Sequence, residues 1–124
     1  MLCNQGQAAT AVKLLDPVSA ANTAAATSAW VDVRAAEGDL VFTTQLGAVT
    51  GSITWTIEDA TDGSGTGSAG VTPNEGAFAA GAANQIQKRT VNAGAVRGWV
   101  RVVGTIVTGP ALVAANVKYH PKGA

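Results

Sequence analysis

Apolar and polar side chains alternate along residues 52–58, and this period of two restricts the fold more than any other feature. In the stretch SITWTIE, Ile53, Trp55 and Ile57 alternate with two threonines and a glutamate. Successive side chains of a strand point to opposite faces, so the pattern is typical of a half-buried β-strand. β-Branched and aromatic residues, which dominate the stretch, are also enriched in strands. The sequence therefore predicts a strand with Trp55 in the core.

A second alternating stretch, DLVFTTQL, covers residues 39–46. It places Leu40, Phe42 and Leu46 on one face of a predicted strand. Gly47 and Gly51, between the two stretches, suit a connection that must turn tightly. Residues 29–33 and 84–91 are weaker strand candidates.

Two apolar runs near the C-terminus, residues 99–107 and 112–119, flank the turn residues Thr108-Gly109-Pro110-Ala111. Pro and Gly stop a strand on either side of such a turn. If the turn is symmetric, the two runs pair as a hairpin in which Val107 faces Leu112. The predicted core face then holds Val100, Val102, Ile106, Val113, Ala115, Val117 and Tyr119. The predicted outer face holds Trp99, Arg101, Val103, Thr105, Asn116 and Lys118.

This register places Arg101 directly opposite Lys118 on the outer face, which also carries Trp99. Like charges opposite each other are unfavourable unless something negative lies over them. A large ring on the outer face is similarly unhelpful to a monomer. We therefore predict a partner interface of Trp99, Arg101 and Lys118, with Trp99 as its apolar anchor and the cations meeting a partner carboxylate. The alternative is that both cations simply extend into water.

Short strands, turns at roughly 8–12-residue spacing and no long amphipathic helix indicate an all-β fold. We expect a single-domain β-sandwich or jelly roll over residues 27–124. Residues 1–26 are rich in Ala, Thr, Ser and Asn, have no clear period, and are expected to form an extended N-terminal arm with one short strand. Fully stretched, an arm of this length reaches up to ~80 Å, far enough to lie across a neighbouring protein.

Charged residues make up only 13% of the chain, roughly half of the usual share in soluble domains. Surface charge helps to keep a monomer soluble and unassociated. The deficit favours a permanent oligomer or assembly, in which other subunits cover part of the surface. The alternative is a soluble monomer with a surface rich in Ser and Thr.

The charge balance also argues against several partners. Eight basic residues are matched by eight acidic ones, whereas nucleic-acid binders show a clustered basic excess. No stretch approaches the ~18 apolar residues of a membrane span, and the start MLCNQGQ does not resemble a secretory signal. We expect the one cysteine, Cys3, to be a reduced thiol without a chemical role, in a protein made in a cytoplasm.

Gly65, Gly67 and Gly70 match the pattern G-x-G-x-x-G of dinucleotide-binding loops. That pattern binds pyrophosphate only where it leads into a helix N-terminus. Here Val-Thr-Pro73-Asn-Glu-Gly follows, which cannot start such a helix, and the later acidic residue and the Gly-Lys-Ser/Thr of a phosphate loop are both missing. We therefore predict a long, mobile loop after strand 52–58, solvated by its acidic residues.

The sequence predicts no catalytic residue, no metal ligand and no cofactor, and hence no enzyme. Glu58, Asp59 and Asp62 invite a calcium interpretation, but calcium prefers more oxygen ligands, and the order of acids in an EF-hand is absent. His120 is the one histidine, so neither a histidine metal site nor a convincing Ser-His-Asp triad can be built.

The stretch WVRVVGTIVTGPALVAANVKYHPK, with QIQKRTVNAGAVRG and SITWTIEDATDGSG before it, resembles the cement (decoration) proteins of tailed bacteriophage heads. Trp99-Val-Arg101-Val-Val-Gly-Thr105-Ile-Val-Thr-Gly109 matches their near-terminal strand and Thr-Gly turn. The resemblance covers residues 27–122 and leaves the N-terminal arm outside. It implies a jelly-roll protein without catalytic residues that trimerises, binds the major capsid protein at three-fold positions on the capsid surface, and stabilises the expanded shell.

Two other functions stay open from the sequence. One is a tail or head-completion component of a phage. The other is a carbohydrate-binding β-sandwich, which needs a row of exposed aromatic side chains, and its candidates here are Trp30, Trp55, Phe78 and Trp99.

Overall fold

The computed structural model describes residues 10–121, so Cys3, the rest of the first nine residues and the last three lie outside the described residues. Eight strands follow one another: β1 (Thr10–Ala20), β2 (Val31–Asp32), β3 (Ala36–Val49), β4 (Ile53–Ala60), β5 (Ala69–Val71), β6 (Ile86–Asn92), β7 (Trp99–Ile106) and β8 (Ala111–Pro121). A turn of 3₁₀ helix at Ala93–Ala95 is the one helical element within this range.

The strands form two antiparallel four-stranded sheets that pack against each other. The first sheet has the order β1-β8-β3-β6 and the second the order β2-β7-β4-β5. Four of the pairs are β1–β8, β2–β7, β3–β6 and β4–β5. These are the pairs of one long hairpin, and rolling that hairpin up brings β8 beside β3 and β7 beside β4. This is a jelly roll, and the predicted all-β sandwich is confirmed.

The core lies between the sheets and is filled by the alternating side chains that the sequence indicates. Ile53, Trp55 and Ile57 of β4 and Leu40 and Phe42 of β3 are almost completely buried. Burying one such side chain contributes about 1.5–3 kcal/mol. Both strand predictions in this part of the chain are therefore confirmed, together with the faces assigned to them.

The predicted C-terminal hairpin is wrong. β7 belongs to the second sheet and β8 to the first, so residues 107–110 cross from one sheet to the other. Arg101 pairs across the sheet with Glu58, and Lys118 with Ala11 and Val41, so the two cations do not face each other. The division into core and outer faces still holds, because each strand turns one side to the same core.

The described part of the predicted arm is a strand of the first sheet. Residues 10–20 form β1, which pairs with β8 along its length and buries Leu14 and Ala20. This stretch is extended, as expected, but its hydrogen bonds and buried side chains hold it in the sandwich. In this fold the stretch is part of the first sheet.

Candidate functional site

The three predicted interface residues lie on two different surfaces. Trp99 and Arg101 are two residues apart on β7 and share the outer side of the second sheet. Lys118 is exposed on the outer side of the first sheet, between β1 and β3. The structure thus brings Trp99 and Arg101 together and separates Lys118 from them.

Arg101 is already paired within its own chain. Its Nη2 lies 2.7 Å and its Nε 2.8 Å from Oε1 of Glu58, the residue opposite on β4. Its guanidinium also lies 4.5 Å from the centre of the Trp30 ring, a cation–π contact. A partner carboxylate is therefore not needed to balance Arg101, and any partner here meets a neutral, aromatic surface.

Trp99 is covered by a second arginine in a similar arrangement. The guanidinium of Arg34 lies 5.4 Å from the centre of the Trp99 ring, and its Nη2 is 2.7 Å from Oδ2 of Asp32. The hydrogen bonds from Arg34 lower the pKa of Asp32 to about 2, so this pair is charged at neutral pH. We call Trp30, Arg34, Glu58, Trp99 and Arg101 the tryptophan face.

The glycine-rich segment is a hydrogen-bonded turn packed against this face, whereas the sequence suggests a loop solvated by its acidic residues. It joins β4 to β5, and Oδ1 of Asp62 accepts hydrogen bonds from the backbone amides of Ser64 and Thr66. Gly65 has a positive φ of 83°, and a Cβ there would lie 2.7 Å from Nε1 of Trp30. Glycine is required here because the backbone passes directly against the indole ring.

An ion pair between the buried carboxylate of Asp59 and the exposed Arg97 fixes the base of the same turn. Asp59 lies at the end of β4 and is 5% exposed. Its Oδ2 accepts hydrogen bonds from the backbone amide and from Nε of Arg97. Its Oδ1 accepts a hydrogen bond from Nη2 of the same arginine. Nη2 of Arg97 also donates to the carbonyl of Gly67, at 2.6 Å. The carboxylates that invited a calcium interpretation are therefore used elsewhere, with Glu58 on Arg101 and Asp59 on Arg97. Within residues 10–121, no cluster of three or more His, Cys, Asp or Glu side chains could hold a metal ion.

A second surface, which the sequence reasoning missed, is an apolar groove on the outer side of the first sheet. Its volume is about 540 Å³, and its lining includes three exposed aliphatic side chains, Val18, Ile86 and Leu112. Gly47 lies beside them, and a Cβ there would lie 3.1 Å from Cβ of Leu112. We call Val18, Gly47, Ile86 and Leu112 the apolar groove.

One sequence signal for the groove exists. Leu112 stands between the core residues Ala111 and Val113, so alternation assigns it to the outer face, and Ile86 stands next to the buried Gln87. Large aliphatic residues at outward positions are the signal. The order of the strands in the sheet is also needed to predict that these side chains meet in one groove.

The aromatic residues do not form the exposed row that a sugar-binding face needs. Trp55 and Phe78 are buried in the core, with exposures of 1% and 5%. Only Trp30 and Trp99 of the four candidates are partly exposed, and each has an arginine over its ring.

In the part of the chain that the structure describes, no helix has the length and apolar character needed to cross a membrane.

The sequence matches no protein-family model and no curated protein. Among solved structures it is similar to Bacillus endospore appendages, described as a family of disulfide-linked pili, with a TM-score of 0.48 and 15% identity over 98% of this chain and 97% of that one. It is also similar to infectious bursal disease virus, Gx strain, with a TM-score of 0.41 and 12% identity over 94% of this chain and 34% of that one. Likenesses this distant do not carry over a function. The sequence and structure together establish a single-domain jelly-roll β-sandwich.

Proposed function

We propose that this chain is a structural protein of a bacteriophage particle, which decorates and stabilises the capsid as a homotrimer on the capsid surface. Its partners are the major capsid protein and further copies of itself, with no nucleic acid and no membrane involved. It is made in the host cytoplasm and performs no catalysis. The sequence resemblance to cement proteins supports this proposal.

The observation that carries the proposal is the apolar groove. Val18, Ile86 and Leu112 are 42%, 60% and 48% exposed, although they are large aliphatic side chains of a small, lightly charged protein. Covering apolar area yields about 25 cal/mol per Å², so a partner that fills this groove gains free energy. A protein whose work is to adhere to other subunits needs such a surface.

The tryptophan face gives the molecule a second contact surface at a distance from the groove. Trp99 begins β7 and the groove lies near the far end of the sandwich, so roughly 23 Å of strand separates the two levels. Tryptophan and arginine are the residues most enriched among binding hot spots. In this proposal the groove serves self-association and the tryptophan face contacts the shell.

Attachment to phage heads tests the proposal directly. Purified protein is expected to co-sediment with expanded heads and not with compact precursor shells, because its role is to oppose the internal pressure of the filled head. Trp99→Ala is expected to reduce attachment at least tenfold while leaving the fold intact. Thr105→Ala, an exposed position on the same face of β7, is the matched control and should attach normally.

Equal binding to expanded and compact shells would contradict the stabilising role. Normal attachment of Trp99→Ala would remove the tryptophan face from the shell contact. Rings or tubes of the pure protein in electron micrographs would instead favour a tail or head-completion component.

A further inference from the structure

One end of the sandwich is built from segments without charged side chains. Four of the segments that contain no Asp, Glu, Lys, Arg or His meet at this end, namely residues 17–31, 40–57, 76–87 and 102–117. Another uncharged segment, residues 63–74, lies in the glycine-rich turn and β5. Backbone hydrogen bonds join the four segments: Gly104 N to Ala26 O, Thr50 N to Pro110 O and Asn84 N to Gly47 O. We call the part of the sandwich that residues 17–28, 44–54, 81–87 and 104–114 build the uncharged end.

The exposed large hydrophobic side chains of the described residues all belong to this uncharged end. They are Val18, Ile86, Val107 and Leu112. Three of them line the apolar groove. The fourth, Val107, is outside it and is the most exposed, at 78%, in the connection between β7 and β8. One end of the molecule therefore carries both an apolar depression and an apolar projection.

The segment that carries Val107 is held in place before any partner arrives. The amide of Val107 donates to Ser52 O at 3.1 Å, and the amide of Thr50 donates to Pro110 O, also at 3.1 Å. Valine is stiff at χ1 and has little rotamer entropy to lose. A preorganised projection of this kind binds at a low entropic cost.

We propose that Val107 of one copy inserts into the apolar groove of a second copy, and that this contact builds the homo-oligomer. The inference rests on the self-association in the proposed function and specifies its interface. The two surfaces match in charge because neither carries any, so no ion is desolvated without a partner. Projection and groove are different patches of one chain, so the contact is heterologous, and a rotation that closes makes a ring such as a trimer.

Two lysine substitutions test the contact, one on the projection and one in the groove. Val107→Lys places a charge on the projection and Leu112→Lys places one in the groove. Both positions are exposed, so the fold is expected to survive, which thermal unfolding checks. Thr54→Lys is the matched control, because Thr54 is exposed at the same end but on the outer side of the second sheet. Native mass spectrometry of the full chain should show monomers for the first two variants and the wild-type oligomer for the control.

Mixing the two variants separates this contact from a symmetric one. The Val107→Lys variant retains an intact groove, and the Leu112→Lys variant retains an intact Val107. In an equal mixture, Val107 of a Leu112→Lys copy can insert into the groove of a Val107→Lys copy, and no other contact of this kind can form. The expected product is a dimer with one copy of each variant. A symmetric patch that contains both positions would stay monomeric in the mixture, and that result would overturn the inference.

Two further results would also overturn it. One is an unchanged oligomer for Val107→Lys, which leaves self-association intact and so rejects this interface without rejecting the proposed function. The other is dissociation on deletion of residues 2–9 while Val107→Lys has no effect, because self-association would then depend on the N-terminal segment and not on Val107. A wild-type protein that is monomeric throughout would instead reject self-association itself.

Discussion

At the scale of single residues, Asp59 shows how the structure uses a carboxylate that the sequence leaves ambiguous. The side chain is buried, and the side-chain hydrogen bonds of Arg97 lower the pKa of Asp59 in spite of its burial. The Asp59–Arg97 ion pair therefore orients Arg97, which in turn donates a hydrogen bond to the glycine-rich turn. The charge is structural, and it is paired within the chain.

Asp59→Asn should lower the free energy of unfolding at pH 7 by about 1–2 kcal/mol. Arg97 donates to both carboxylate oxygens of Asp59, whereas Asn has one acceptor oxygen and turns an NH2 group toward the other donors. The hydrogen bond that remains loses the negative charge of the carboxylate and is weaker. The effect depends on pH. A carboxyl group whose folded pKa is lowered stabilises the fold above its unfolded pKa of about 3.9, and this stabilisation is lost as the pH falls through the folded pKa. The difference in the free energy of unfolding between wild type and Asp59→Asn should therefore be largest at pH 7 and become smaller below pH 4.

Denaturant unfolding at pH 7, 4 and 2.5 measures this difference. Asp16→Asn is the control: Asp16 forms an exposed surface pair with Lys13, with its side chain 70% exposed, and such pairs contribute little. A stability difference for Asp59→Asn that is independent of pH would contradict the assignment.

At the scale of elements, the alternation of apolar and polar residues identified the strands and their inward faces, but it did not identify which strands are neighbours in a sheet. The inward positions of β3, β4, β7 and β8 follow the period of two, so the core could be predicted from the sequence. A strand that crosses to the other sheet after a turn shows the same alternation as a strand that folds back in a hairpin. The predicted pairing of Arg101 with Lys118 assumed a hairpin. Only the complete strand order of the jelly roll decides between them.

A double-mutant cycle tests this strand order. Removing both Arg101 and Glu58 by alanine substitution should reveal a favourable coupling of about 0.5–1 kcal/mol, because the side chains are neighbours across β7 and β4. The cycle between Arg101 and Lys118 should give a coupling near zero, since these residues lie on different sheets. Denaturant unfolding of the single and double variants provides both values. An unfavourable coupling between Arg101 and Lys118 would restore the hairpin and contradict the topology.

At the scale of the whole molecule, composition predicted a surface with little charge but not its location. The jelly roll brings four uncharged segments, distant in sequence, to one end and leaves Arg101, Glu58 and the Asp59–Arg97 pair toward the other. Trp99 was recognisable from the sequence because it is a large ring at an outward position. The apolar groove was not, because Val18, Ile86 and Leu112 come from three strands that only the fold makes neighbours.

The central claim is that this small β-sandwich exists to adhere to copies of itself and to a shell, and the native mass of the pure protein tests it most directly. The mass should be close to three times the 12.3 kDa of one chain, at protein concentrations down to the low micromolar range and in high salt, because the contact involves no charges. A single species of 12.3 kDa under all of these conditions would contradict the account.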